Sequence, residues 1–194
     1  MDVTPLFLGP SDSPVLSYLR KIEDKVYTCS EPVTPKSLPV QQTNFLVSYG
    51  YRHIIPDNVL ELYPFAAINL HISLLPWNKG ADPNFWSFVD DTPKGVTIHL
   101  IDSGLDTGNI LIQKKLHLSD ELTFAQSYTI LTDEIISLFI EHWKDIRTKA
   151  IKPEKQKGQG SYHHSIDKAP YQKLLRNDWD TRIDTFLKRT RQKN

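Results

Sequence analysis

The chain has 194 residues, 39% of them hydrophobic and 10% aromatic, and its 23 Lys and Arg are balanced by 23 Asp and Glu. The zero formal charge leaves no cationic surplus to displace counterions from nucleic acid or to hold an acidic membrane surface, and the hydrophobic content argues against disorder. A single cysteine, Cys29, excludes an internal disulfide framework and a multi-thiolate metal site.

No apolar run approaches the roughly 20 residues of a membrane span. The opening MDVTPLFLGPSDS lacks a basic segment followed by an apolar one, so no signal peptide is expected and a cytoplasmic protein is.

Thr4 to Leu8 reads as a first strand stopped by Gly9-Pro10. Ser11 or Ser13 can then cap a helix carrying Val15, Leu16, Tyr18 and Leu19, with Pro14 in its first turn. Val26 to Cys29 is a second short strand, followed by an irregular stretch with Pro32, Pro35 and Pro39. Asn44 to Ser48 reads as a buried strand, Pro56-Asp57 starts a helix through Val59, Leu60 and Leu62, and Ala66 to Leu70 is another buried run. Gly95 to Ile101 and Ile110 to Leu118 have high strand propensity. Leu122 to Ile146 is the strongest helix, with Phe124, Tyr128, Leu131, Ile135, Leu138 and His142 spaced for one face. Lys152 to Gly160 is a polar loop. The tail from Asp178 to Asn194 reads as an amphipathic helix around Trp179, Ile183, Phe186 and Leu187. Lys188, Arg189, Arg191 and Lys193 sit toward its end, where cations complement the helix dipole.

Apolar strands alternating with helices predict an α/β domain with a mostly parallel central sheet. In such sheets chemistry collects at the carboxyl ends of the strands. Two segments there carry suitable groups. In Asn69-Leu-His71-Ile-Ser73 an amide, an imidazole and a hydroxyl alternate, so extended backbone puts them on one face. An amide can stabilise a developing oxyanion, and an imidazole can exchange a proton near neutral pH. In Gly95 to Ile110, a strand bearing His99 runs into a glycine-punctuated loop with two carboxylates, Asp102 and Asp106. Each pattern alone also fits a plainer reading: a hydrogen-bonded core histidine for the first, an ordinary turn for the second.

Taken together, NLHISLLP followed by GVTIHLIDSGLDTGNIL resembles the N10-formyltetrahydrofolate-dependent formyltransferase superfamily, with the match strongest from Phe45 to Leu118. The resemblance implies a single Rossmann-like domain with a mostly parallel sheet flanked by helices and a short helical C-terminal tail. The catalytic domain would occupy residues 1–150, and residues 151–194 would form a loop and helix extension packed on it. The family's catalytic Asn, His and Asp correspond to Asn69, His71 and Asp106. His71 would shuttle protons, Asn69 would help hold the oxyanion, and Asp106 would orient His71. The folate pocket would draw on Tyr51, Arg52, His53 and Ile54 after one strand, and on Leu100, Ile101, Asp102, Gly104 and Leu105 around the Asp-bearing loop. Ser73, Trp77, Lys79, Gly9 and Ser11 would face the acceptor substrate.

N10-formyltetrahydrofolate is then the expected co-substrate, and no metal is expected. The favoured acceptor is the amine of a nucleotide-linked amino sugar, with no nucleic-acid or membrane partner, and a homodimer is left open. Gly9-Pro-Ser-Asp-Ser13 departs from the Gly-rich phosphate loop of related enzymes, which makes a glycinamide ribonucleotide formyltransferase the runner-up. A formyltetrahydrofolate hydrolase or a catalytically weak folate binder would also be compatible with these motifs. About 50 residues after Ile146 are too few for the added β-barrel of tRNA-acting members, and they carry a Tyr162-His163-x-x-x-Asp167 segment similar to one in sugar-nucleotide formyltransferases.

Overall fold

Six strands form the central sheet in the order β2-β1-β3-β4-β6-β7 of a computed structural model that describes residues 2–192. The first three are β1 (Pro5–Leu8), β2 (Tyr27–Cys29) and β3 (Phe45–Ser48), followed by β4 (Ala67–His71), β6 (Lys94–Leu100) and β7 (Ile110–Leu116). A separate two-stranded ribbon pairs β5 (Lys79–Gly80) with β8 (Tyr162–His163). β1 lies parallel to both β2 and β3, and β3 lies parallel to β4 with Ser48 opposite Asn69. All four residues of β1 and of β3 are buried, as expected of parallel strands covered on both faces. The α/β, mostly parallel architecture agrees with the sequence reading.

The helices are α1 (Pro14–Ile22), α2 (Leu38–Gln41), α3 (Asp57–Leu60), α4 (Pro83–Val89), α5 (Phe124–Arg147) and α6 (Ile183–Arg191). Ser13, not Ser11, caps α1: its hydroxyl accepts from the Val15 N–H, and Val15, Leu16 and Leu19 are the buried face. The tail is less regular than the sequence suggests. Asp178–Asp180 is a single 3₁₀ turn and the helix proper starts at Ile183; Lys193 and Asn194 lie outside the described residues. On α5 the buried stripe runs through Phe124, Ser127, Leu131, Ile135, Leu138, Phe139, Trp143 and Ile146, and Tyr128 is 48% exposed. The stripe drifts off Tyr128 and His142 because Ser127 and Trp143 find buried hydrogen-bond partners.

The chain divides into two compact units. One comprises Met1–His71, Ile98–Ile112 and Ile135–Gln156; the other comprises Ile72–Thr97, Gln113–Glu134 and Lys157–Asn194. The first unit packs β1 and β3 against α1 and the second half of α5. There Phe45 meets Trp143 edge-on at 5.1 Å between ring centroids. Glu23, just past α1, accepts from Trp143 Nε1 and Arg147 Nη1, each at 2.7 Å. The second unit has an aromatic core of Phe85, Trp86 and Phe88 from α4, Phe124, Phe186 and the apolar Ile183 and Leu175. Trp86 stacks flat on His163 at 3.9 Å, and His163 Nε2 lies 2.7 Å from Asp90 Oδ2. Residues 157–191 are thus integral to that unit's core.

Candidate active site

Three segments of the first unit bring the candidate chemistry together. β4 delivers Asn69 and His71 at alternate positions, and the strand ends at His71. β6 delivers His99 one residue before its end. The loop between β6 and β7 carries Asp106, whose φ of 54° lies in the left-handed region, a conformation that short polar side chains tolerate better than most.

Asp106 is the hub. Asn69 Nδ2 donates to its Oδ1 at 3.2 Å, His99 Nε2 lies 3.4 Å from the same oxygen, and His71 Nδ1 lies 3.7 Å from Oδ2. His71, His99 and Asp106 are 7%, 2% and 8% exposed. Polar groups buried so deeply need partners, and here they supply one another. The His99 tautomer follows from its surroundings. Its Nδ1 faces the Leu100 carbonyl at 2.8 Å, and a carbonyl can only accept, so Nδ1 carries the proton. Its Nε2 lies 3.3 Å from Asn69 Nδ2 and 3.4 Å from Asp106 Oδ1. From the sequence His99, like Ser73, sits on the matched motifs and reads as either a supporting or a purely structural residue. Its position, one residue before the end of β6, brings its ring to Asp106.

The loop is closed from two sides. Asp102 Oδ1 accepts from Gly104 N and from Thr107 Oγ1 at 3.1 and 2.6 Å. Gln156 Nε2 donates to the carbonyls of Asp106 and Gly108 at 2.8 and 2.9 Å. Nothing in the polar Lys152–Gly160 stretch singles out Gln156 by pattern. Gly108 is where backbone passes closest: a Cβ there would sit 1.8 Å from the Leu100 carbonyl oxygen. Gly108→Ala is expected to destabilise the protein by about 1–3 kcal/mol through overpacking, read as a lower thermal midpoint.

Beside this loop a cavity of about 320 Å³ is lined by Leu60, Tyr63, Phe65, Leu100, Ile101 and Asp102, among others. Leu105 and Ile54 are 51% and 85% exposed, and Gly104 is also at the surface. Tyr51 is turned toward the first strands, its hydroxyl donating to the Glu31 carbonyl at 2.8 Å. Burial, with Cys29 nearby adding to it, pushes its phenol above the ordinary value, so it stays a donor at neutral pH. Arg52 and His53 are exposed, with the His53 ring edge-on to Tyr51.

The residues expected to face the acceptor are spread more widely. Ser73 lies past the end of β4, so the strand's alternation stops at His71. Ser73 is 2% exposed and donates to the Trp77 carbonyl at 2.6 Å. Trp77 is 36% exposed, and Lys79 pairs in β5 opposite Tyr162. Ser73, Trp77 and Lys79 belong to the second unit. In the first unit, Gly9 allows the Tyr49 carbonyl to approach where a Cβ would be 2.1 Å away, and Ser11 is exposed in the turn before α1. Among the described residues no group of three or more His, Cys, Asp or Glu is placed to hold a metal ion, and no helix is long and apolar enough to cross a membrane.

Comparison with known proteins places these features in a wider context. The formyltransferase PseJ from Anoxybacillus kamchatkensis, solved with UDP-4,6-dideoxy-4-formamido-L-AltNAc and tetrahydrofolate, superposes with a TM-score of 0.90 at 45% identity, covering 94% of this chain and 97% of that one. A sugar N-formyltransferase-like protein from Mycobacterium tuberculosis shares the fold, with a TM-score of 0.76 at 22% identity over 88% of this chain and 78% of that one. Methionyl-tRNA formyltransferase from Thermodesulfovibrio yellowstonii is 35% identical over 137 residues, 69% of this chain and 44% of the relative. The Clostridium perfringens counterpart is 34% identical over 128 residues, 66% of this chain and 41% of the relative. The chain thus spans less than half the length of these curated relatives. A family model described as formyl transferase matches residues 23–141, a stretch that contains β4, His99 and the whole Asp106 loop, and the chain belongs to that family.

Proposed function

We propose that this protein transfers a formyl group from N10-formyltetrahydrofolate to the primary amine of a nucleotide-linked amino sugar. The observation that carries the reading is the cluster of half-buried Asn69 with buried His71, His99 and Asp106, at the ends of β4 and β6 and in the loop after β6, in a chain 45% identical to the formyltransferase PseJ over nearly its full length. The apolar cavity beside the Asp106 loop suits a flat heterocycle held at its edge by backbone groups. Residues 1–150 act as the catalytic domain in this reading, and residues 151–194 as its extension.

In the reaction a bond forms between the acceptor nitrogen and the formyl carbon, and the bond from that carbon to N10 breaks. One proton leaves the amine and one arrives on N10. His71 takes the first and returns it to the leaving nitrogen, and Asp106 fixes its ring and offsets the charge it carries between the two steps. Asn69 donates from its amide to the oxygen of the tetrahedral intermediate.

The balanced charge of the chain favours a small acceptor over tRNA, and a cytoplasmic location goes with this reading. The test is tetrahydrofolate formation with purified protein and a panel of amines that includes a UDP-linked 4-amino-4,6-dideoxy sugar, glycinamide ribonucleotide and methionyl-tRNA. N-formyl product on the nucleotide sugar is expected. Formate release without acceptor, or product only on another amine, would overturn the assignment.

A further inference from the structure

The geometry points to Gln156 as a positioning residue that sets the Asp106 carboxylate. Asp106 holds a left-handed backbone, φ 54°, and such a conformation persists only where its surroundings over-determine it. The carbonyls of Asp106 and Gly108 bracket the turn, and one side-chain amide, Gln156 Nε2, donates to both. The amide's orientation is fixed by this pair, because a flipped group would set its oxygen against two carbonyl oxygens. Its own Oε1 is buried and has no hydrogen-bond partner among the described residues. The amide thus leaves its own acceptor unpaired while satisfying two loop carbonyls.

Gln156 reaches the loop because Ile110 and Glu154 exchange both backbone hydrogen bonds, at 2.8 and 2.9 Å. That bridge lays residues 154–156 along the start of β7. Gln156 touches no reacting atom. It acts through the loop backbone on a carboxylate whose distances to His71, His99 and Asn69 are 3.7, 3.4 and 3.2 Å. It also lies outside residues 23–141, the stretch matched by the family model.

The catalytic half of this inference rests on the formyl-transfer reading; the structural half does not. Gln156→Met keeps the side chain's length and removes both donors. Gln156→Glu keeps the shape and sets oxygens against the two carbonyls. Displacing a catalytic group by about 1 Å costs up to about 100-fold in rate. Both variants are therefore expected to lower kcat by about 10–100-fold, with KM for folate and acceptor each changed less than about threefold. Exchange of the Leu100 and Ile110 amides at the loop's ends, which donate to the Asn109 and Glu154 carbonyls at 2.8 Å each, is expected to accelerate at least about tenfold, while that in β1 and β3 stays unchanged. Exchange is followed in the intact protein without substrate, so it decides the loop's dependence on Gln156 even if the wild type formylates none of the amines offered. Wild-type kcat in both variants, a rise in KM without a fall in kcat, or unchanged loop exchange would overturn the proposal. Faster exchange throughout the unit would also overturn it, in favour of a general packing role.

Discussion

His71→Ala is expected to lower kcat by about 10²–10⁴-fold, the range that a positioned general acid–base contributes. The ring is 7% exposed, sits at the end of β4 and has Asp106 Oδ2 3.7 Å from its Nδ1, so no bulk water is held in position to replace it. Asp106→Asn tests the other half of the pair. It preserves the side chain's shape and its place in the loop, but the neutral amide cannot balance a protonated His71, and its NH₂ can turn toward the ring nitrogen that should stay a donor. A loss of similar size is expected. Because the two residues act as a unit, the double variant should be little worse than either single one. The measurement is tetrahydrofolate formation at saturating folate and acceptor, alongside circular dichroism to verify the fold. Retention of more than a tenth of wild-type turnover in either single variant would remove these residues from the mechanism.

Glu23→Ala should cause a large loss of stability at a position away from the site. One oxygen of this carboxylate, on a side chain 4% exposed, accepts from both Trp143 Nε1 and Arg147 Nη1 at 2.7 Å. Truncation leaves an indole N–H in a residue 1% exposed and a guanidinium without its partner. Breaking a buried pair in this way costs about 3–5 kcal/mol. Arg147 is 28% exposed and can be partly solvated, so about 3 kcal/mol is expected. For a protein of this length that corresponds to a fall in the thermal midpoint of about 6–12 °C. Glu23→Gln retains an acceptor for both donors and should recover more than half of the loss. A change below about 1 kcal/mol in the alanine variant would mean that solvent replaces the carboxylate freely.

The legible parts of the fold are those in which local chemistry and tertiary packing agree. Ser13 before Val15, Leu16 and Leu19 specifies α1 from its cap to its buried face. The apolar runs of β1 and β3 need both faces covered, so they announce a parallel sheet. Asn69 and His71 are readable because a period of two survives in β4, and Ser73 is misplaced by that pattern because the period ends with the strand at His71. The ribbon of β5 and β8 has two residues per strand, too few to show any period. Gln156 is invisible for another reason: its role depends on which carbonyls lie opposite it, and a backbone carbonyl has no letter in the sequence. The drift of the α5 stripe from His142 to Trp143 follows from Glu23, 120 residues away.

The clasp on the Asp106 loop also bears on how the protein is made. The four parallel strands from β2 to β4 are contained in the first 71 residues, so most of that sheet can assemble as soon as this portion leaves the ribosome. Gln156 follows Asp106 by 50 residues. At translation rates of about 5–20 residues per second, the loop waits about 3–10 s for it. During that interval the nascent chain already holds Asn69, His71, His99 and Asp106 but has only Asp102 to shape the loop from within. The order of synthesis therefore leaves the completion of the site to one of the last segments of its unit to be made.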